Sequence, residues 1–361
     1  MHVALGYQWF PHHAAYHMER ALLEEGCAVT YVGLPAAGRP GYDSRIAIDE
    51  IVAAQGGSAG GAPDLYLWID PAGPYFPRGV ERLPIPTACY LIDVHIGAWR
   101  THAARFFDFV FVAQKDFVAI YRQALGHDQV YWLPLAAAAD IHRPYDLPLR
   151  YDVAFVGSVA RAHQQTNSRM RRLALISSRY RTNDVFAPAP AEEVGQIYSQ
   201  ARIVFNTSIA GDVTMRDFEG TASGAMLLTD SAANGLDELF EIGTEVVVYD
   251  DDEDLLRKVD YYLAHDGERR AIAEAGCRRT HADHTYQQRA RRMLAAVVAP
   301  GTRRAAPLRS AGEDKVRAER RAVYTSLHML DALYDDARGA AYGPLRRTWT
   351  ALPALARRTL R

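Results

Sequence analysis

Short apolar runs alternate with amphipathic or polar stretches along the whole chain, and their spacing predicts a repeated strand–helix unit. In the first half the β-rich runs are residues 2–6 (HVALG), 28–32, 65–69, 87–92 (TACYLI), 109–113 (FVFVA) and 130–133. Each is bounded by a polar or Gly-flanked loop, the mark of a buried strand. Residues 14–25 read as a helix ended by Gly26, 46–54 as a helical interlude, and 116–126 as a helix opened by Asp116 and closed by Gly126. In the second half the strands are 151–156 (YDVAFV), 202–206 (RIVFN), 225–229 and 245–249. The helices between and after them are 167–178, 191–201, 214–223, 254–264 and 284–298. This alternation predicts an α/β protein built from βαβ units. Residues 141–150 (IHRPYDLPLR) carry two prolines and no apolar period, so they read as a hinge between two domains.

Composition narrows this little. The chain has 361 residues, 49% of them hydrophobic, which suits two domains with ordinary cores. A net charge of −2 gives no global attraction for nucleic acid or a membrane, so an anionic ligand has to be met by local positive charge. Cys27, Cys89 and Cys277 are far apart and odd in number. They fit neither a metal spacing nor a disulfide framework and suggest a reducing, cytoplasmic setting. The start, MHVALGYQWF, lacks a basic and then apolar leader, and no apolar run is long enough to span a bilayer. The end differs in kind. From Thr302 onward there are 13 Arg or Lys against 6 Asp or Glu, with an amphipathic stretch over 319–338 and a basic one over 344–361. This tail is expected to dock on the core, to contact a partner protein, or to touch a membrane surface peripherally.

The densest chemistry lies in residues 201–230 (ARIVFNTSIAGDVTMRDFEGTASGAMLLTD), which read as strand, loop, helix, strand. Asn206 ends the strand, Thr214 caps the helix, and Met215 and Arg216 fall in its first turn. A helix start after a strand is an anion site, because its first N–H groups are unpaired and the helix dipole is positive there. Arg216 adds a fork suited to phosphate. Glu219 lies one turn on along the same face, placed to accept hydrogen bonds from a pair of ribose-like hydroxyls. Spacing alone equally allows a surface ion pair between Arg216 and Glu219, worth a few tenths of a kcal/mol.

The sequence around and after Glu219 resembles the nucleotide-sugar site of glycosyltransferases with two facing Rossmann-like domains, the GT-B fold. Four motifs carry the resemblance: Arg216-Asp217-Phe218-Glu219, LLTD over 227–230, GLDELFE over 235–241 and HTYQQR over 284–289. Together they are similar to the R-x-F-E, LLTD, GL-x-ELFE and HTY-x-x-R pattern of the spore-maturation-protein (CgeB-like) group, and the similarity covers about 152–292. The resemblance implies an N-terminal acceptor-side domain over 1–142, a donor domain over 151–283, a helix over 284–299 crossing back to the first domain, and a basic helical tail over 300–361. It implies that Glu219 binds the donor ribose. It places the diphosphate by the first loop of the donor domain, at Gly157, Ser158 and Arg161, with Arg169 and Arg172 as alternatives. It places the base by the loop at Phe186 and Ala187. It further implies metal-independent transfer of a sugar from a nucleotide sugar to a glycan, protein or small-molecule acceptor. One position departs from the large retaining family, which carries a second Glu eight residues before the ribose Glu. Here that position is Gly211, so the sugar contact of that Glu does not transfer.

In the first half, Asp93 and His95 follow a predicted strand, where parallel sheets bind ligands. A His titrating near neutrality suits proton transfer, so these two are the candidate catalytic pair; a buried or capping histidine is the alternative for His95. The loop 7–13 (YQWFPHH) could face a sugar, although solvated loop residues are the commoner role for His12 and His13. The acidic run 250–254 (DDDED) looks like a D-x-D metal motif, but it follows a strand and opens a helix, where acids favour the dipole. No metal and no cofactor is expected.

Overall fold

The computed structural model describes residues 1–10, 13–36, 38–43, 46–55, 61–71, 73–157, 164–208, 211–230, 234–302 and 304–338, of which 164–167, 335 and 337–338 are described by backbone alone. Two compact units divide the chain: residues 1–133 with 290–361, and residues 134–289.

The first unit opens with β1 (His2–Gly6), α1 (Ala14–Glu24), β2 (Ala28–Tyr31), α2 (Ile48–Gln55), β3 (Leu65–Ile69), β4 (Thr87–Leu91), α3 (Trp99–Ala104), β5 (Phe109–Val112), α4 (Val118–Leu125) and β6 (Val130–Trp132). The strands form one parallel sheet in the order β2-β1-β3-β4-β5-β6. Its inner strands β1, β3, β4 and β5 are buried on both faces, as parallel strands covered by crossover helices must be. From β1 the chain winds to β2 on one side and then to β3 on the other. The C-terminal ends of β1 and β3 therefore flank a switch point, where such sheets leave a crevice.

The second unit holds β7 (Tyr151–Ala154), α5 (Gln164–Ser177), α6 (Ala191–Ser199), β8 (Ala201–Phe205), α7 (Met215–Ala222), β9 (Met226–Asp230), α8 (Leu236–Leu239), β10 (Val247–Tyr249), α9 (Asp252–Ala264) and α10 (Asp266–Asp283). Its sheet is parallel, in the order β10-β9-β8-β7. A parallel bridge from Val153 to Thr182 adds one rung beyond β7. The chain thus leaves β7 toward Thr182 on one side and returns to β8 on the other, and the switch point falls at the ends of β7 and β8. Helix α7 lies close on β8. A Cβ on Gly220 would stand 2.7 Å from a Val204 methyl, so only glycine admits this approach without a shift.

The break between the units lies before the Pro-rich stretch 141–150. Residues 134–142 already belong to the second unit: Ala137 pairs with Thr285, the Ile141 carbonyl fits against Gly195, and Arg289 donates to the Pro134 and Leu135 carbonyls. α11 (Tyr286–Val298) runs on from there to the C-terminal stretch, which returns to the first unit as α12 (Glu313–Ser326) and α13 (Leu330–Arg338). Val316, Val323, Tyr324 and Met329 are buried in the same core as Trp68, Phe107 and Val112. The basic character of this stretch is largely matched within the unit. Arg320 bonds Asp336 and Glu81 at 3.1 and 3.2 Å, and Arg309 bonds the fully buried Asp108 at 2.7 Å. Residues 304–338 thus dock on the first unit; the basic stretch 344–361 lies outside the described residues.

Candidate functional site

The site is assembled at the ends of β7 and β8 by the first turn of α7. Asp217, the third residue of α7, is buried, and its carboxylate reaches back to the cap. It accepts from Thr214 N at 2.7 Å and from Thr214 Oγ1 at 3.1 Å, a capping arrangement that fixes the helix start. Its other oxygen accepts from Asn206 Nδ2 at 2.7 Å, and Asn206 also donates to Thr229 Oγ1. Burial raises the Asp217 carboxyl to about 6, against these hydrogen bonds, which lower it.

Arg216 points the other way along the same turn and is buried at 8% exposure. Its Nε donates to the Val156 carbonyl at 2.9 Å, its Nη1 donates to Asn206 Oδ1, and its guanidinium lies 4.0 Å over the Phe155 ring. These hydrogen bonds all go to neutral groups and none to Glu219. The alternative of a surface i,i+3 ion pair therefore does not describe this residue. The Nη2 end lies against the bare Cα of Gly157, where an added Cβ would stand 2.0 Å away. Gly157 makes room for the fork.

A second buried arginine shows why this placement matters. Arg289 is fully buried and also bonds neutral groups, but these include the Asp283 carbonyl at the C-terminal end of α10 and the carbonyls of Pro134 and Leu135. Carbonyl ends favour a cation. Arg216 sits at the opposite pole, an N-terminal turn, where the dipole disfavours a cation and favours an anion. A buried charge without a countercharge costs several kcal/mol. Arg169 lies in the same corner. It donates to the Thr207 carbonyl at 2.9 Å; burial, with the neighbouring Arg216, pushes it down to about 10, against the carboxylates of Asp212 and Asp230, which hold it up. An anion at this end of the sheet would meet both guanidinium groups.

The other candidates separate around this centre. Glu219 Oε1 lies 3.7 Å from His142 Nε2. His142 Nδ1 accepts from Ala138 N, so the ring proton sits on Nε2, facing the carboxylate. Burial lowers this histidine to about 4, so the contact is a polar one with a neutral ring. Arg172 is committed to acids: it bonds Asp252 at 2.9 Å and lies 3.7 Å from Asp230. Asp252 and Asp254 open α9, and the Asp251 side chain caps it by accepting from Asp254 N, which is the structural role of the acidic run. Phe186 is exposed in the loop after Asn183, and Asn183 holds the Phe155 backbone through both its amide atoms. The loop at Phe186 and Ala187 is thereby tied to the strand that carries the Arg216 platform. Ser158, Arg161 and His12 lie outside the described residues.

The motifs around Glu219 meet behind α7. Phe218, Phe240 and His284 form one aromatic cluster, with ring centroids 5.0 to 5.8 Å apart. His284 Nδ1 faces Arg289 and its Nε2 donates to the Leu239 carbonyl at 2.8 Å. Phe240 of GL-x-ELFE and His284 and Arg289 of HTY-x-x-R thus support α7. Burial, then Arg289, lowers His284 to about 4. Its folded pKa lies below the unfolded value of 6.5, so stability held above pH 6.5 is lost as pH falls toward 4. By pH 5 the loss from this group is about 2 kcal/mol. Urea unfolding at pH 7.5 and pH 5 should show it, and His284→Gln should have the shallower pH dependence.

In the first unit β4 ends at Leu91, earlier than the sequence pattern suggests. Asp93 directly precedes a single 3-10 turn, residues 94–96, and His95 lies inside that turn rather than at a strand end. Both ring nitrogens of His95 are buried with no hydrogen-bond partner among the described residues. What positions this turn is Asp70, buried at the end of β3. Its Oδ2 accepts from Ile92 N, Asp93 N and Arg100 Nε at 3.1, 3.3 and 2.5 Å. The only sequence signal for Asp70 is its place directly after the strand 65–69; Arg100 carried none. His13 is the N-cap of α1, its Nδ1 accepting from Ala15 N. Among the described residues no group of three His, Cys, Asp or Glu could hold a metal ion, and no helix is long and apolar enough to cross a membrane.

Residues 154–295 match a family described as glycosyl transferase-like. No curated protein matches the chain. Among solved structures it is similar to the sucrose-phosphate synthase of Thermosynechococcus elongatus, with a TM-score of 0.57 at 11% identity over 81% of this chain and 97% of that one. It is similar to Anabaena HepE in complex with UDP, at a TM-score of 0.55 and 10% identity over 81% and 98%. It is also similar to a candidate UDP-N-acetylglucosamine 2-epimerase from Listeria monocytogenes, at 0.52 and 13% over 82% and 95%. The chain has the GT-B fold, with a glycosyl transferase-like domain in its second half.

Proposed function

We propose that this protein is a glycosyltransferase that draws a sugar from a nucleoside-diphosphate donor bound by its second unit. The observation that carries the reading is Arg216: a buried guanidinium with neutral partners at the positive end of α7, at a sheet switch point. As the glycosidic bond breaks, the leaving diphosphate gains negative charge. Arg216, the first-turn N–H groups of α7 and Arg169 would stabilise that charge as fixed, preorganised groups. Glu219 would accept from the ribose hydroxyls, and the loop at Phe186 and Ala187 would hold the base. Because guanidinium groups and a helix dipole supply the countercharge, we propose that the transfer needs no metal. Asp93 and His95 remain the candidate acid–base pair on the acceptor side. The four motifs around Glu219 favour the CgeB-like group, and a cytoplasmic protein is the setting proposed from its cysteines.

The test is thermal unfolding with UDP, dTDP, GDP, CDP and ADP, each with magnesium and with EDTA. A bound diphosphate at a hundred times its Kd stabilises by about 2.7 kcal/mol. Glu219→Ala should weaken the preferred nucleotide about tenfold, the loss of a charge-assisted hydrogen bond, and should leave inorganic pyrophosphate binding unchanged. If no nucleotide shifts the transition, the reading fails. The likeness to an epimerase-type structure supports a second reading, a nucleotide-sugar epimerase or hydrolase on the same fold. Product analysis separates the two, since turnover of the nucleotide sugar without an acceptor, to an epimer or free sugar, would favour the second.

A further inference from the structure

We infer that Asp217, acting through Asn206, is a positioning residue that sets the orientation of Arg216. The inference rests on the nucleotide reading and goes beyond it by naming how the phosphate-facing arginine is aimed. In the R-x-F-E motif Asp217 occupies the position that the pattern leaves open. It is buried at 1% exposure and is turned away from the ligand side, toward Thr214 and Asn206.

The argument is one of donors and acceptors. An ionised carboxylate only accepts. Asp217 therefore fixes which end of the Asn206 amide faces it: the NH2 group, at 2.7 Å. The opposite end, Oδ1, must then face Arg216 Nη1, and it does. Thr229 Oγ1 receives the second amide hydrogen at 3.1 Å, so the amide is held from two sides. Asn206 is fully buried and has no water-facing alternative. Were the amide reversed, its NH2 would meet the guanidinium, donor against donor, and Arg216 would be driven off its place on Phe155 and Gly157. The single carboxylate also takes the Thr214 N–H and hydroxyl. It thus holds two things at once, the start of α7 and the aim of the arginine in its first turn.

The isosteric change Asp217→Asn keeps shape and removes the acceptor-only character. The Thr214 N–H still needs an acceptor, so the introduced amide turns its oxygen there and its NH2 toward Asn206. The acceptors beside that NH2 are Asn206 Oδ1 and the Thr229 hydroxyl; taking Asn206 Oδ1 reverses the Asn206 amide and withdraws its oxygen from Arg216. Affinity would be measured by calorimetry for the five nucleoside diphosphates and, separately, for their parent nucleosides, in wild type, Asp217→Asn, Arg216→Ala and the double variant. Asn206→Ala tests the middle of the relay should Asp217→Asn unfold. The expected result is a drop of about tenfold for the bound diphosphate in Asp217→Asn or Asn206→Ala, with the nucleoside unchanged, since Arg216 reads phosphate. In the Arg216→Ala background Asp217→Asn should add nothing, because neighbours in one network are not additive. Equal losses for diphosphate and nucleoside, or additive losses, would mean that Asp217 acts only on the fold and would overturn the relay. A folded Asp217→Asn protein with unchanged diphosphate affinity would do the same while leaving the nucleotide reading intact. A wild type that binds no diphosphate overturns both.

Discussion

Arg216→Ala should weaken nucleoside-diphosphate binding about 300-fold, to a residual affinity that calorimetry still reads. A charge-assisted hydrogen bond contributes about 1.5–3 kcal/mol, and a fork aimed at a diphosphate makes more than one. The fold should survive. Arg216 is buried at an unfavourable helix pole with neutral partners, so its removal takes away an uncompensated charge and leaves the Val156 carbonyl and Asn206 Oδ1 unpaired. These terms oppose each other, and the apo protein should keep its melting temperature within a few degrees. Arg216→Lys should rescue little. An ammonium cannot bond Val156 and Asn206 while lying flat on Phe155 and presenting two parallel donors. Isothermal titration of wild type and both variants, beside melting curves without ligand, checks this. A variant that unfolds without ligand but binds normally when folded would place the role of Arg216 in the fold.

The second large effect is expected from the smallest change, Gly157→Ala. The backbone of Gly157 is not in the left-handed region, so alanine is conformationally acceptable there. What it meets is the Arg216 fork: the new Cβ would stand 2.0 Å from Nη2 and 3.2 Å from Phe155 Cζ. The far end of an arginine can swing aside, so the cost to the fold should stay below about 1 kcal/mol. The displaced guanidinium no longer faces the ligand, and diphosphate affinity should fall about 100-fold. Calorimetry against the bound diphosphate, with urea unfolding as control, reads both quantities. Unchanged affinity would show that Arg216 works from another position than the one on Phe155. The combination Gly157→Ala with Arg216→Ala should be no worse than Arg216→Ala alone.

Several elements of this protein follow from sequence with little help. The strands are legible because buried parallel strands are apolar on both faces, so 2–6, 65–69 and 109–113 stand out from the polar loops around them. The start of α7 is legible because Thr214 and Asp217 have the types and spacing of a capping pair. Arg216 and Glu219 were visible as a pair on one helix face, but whether they join each other or serve a ligand is a question of rotamers. Phe155, Gly157, Val156 and Asn206 fix the Arg216 rotamer, from segments about 10 to 60 residues away.

The same limit explains the rest. The strand register that places β7 and β8 at a switch point depends on the Thr182 rung, a single bridge with no periodic signal. The basic character of the C-terminal stretch allowed docking on the core, a partner contact or a membrane surface. In 304–338 its charges meet Glu81, Asp108 and Asp336, which no local pattern connects. The turn holding Asp93 and His95 is set by Asp70 and Arg100, 30 residues apart. Local composition and periodicity determined which segments are strands and helices and where a capped helix start follows a strand, because those depend on residues within a few positions of each other. Tertiary structure alone decided which charges find a countercharge and which are held by neutral groups, because that depends on groups brought together from distant parts of the chain.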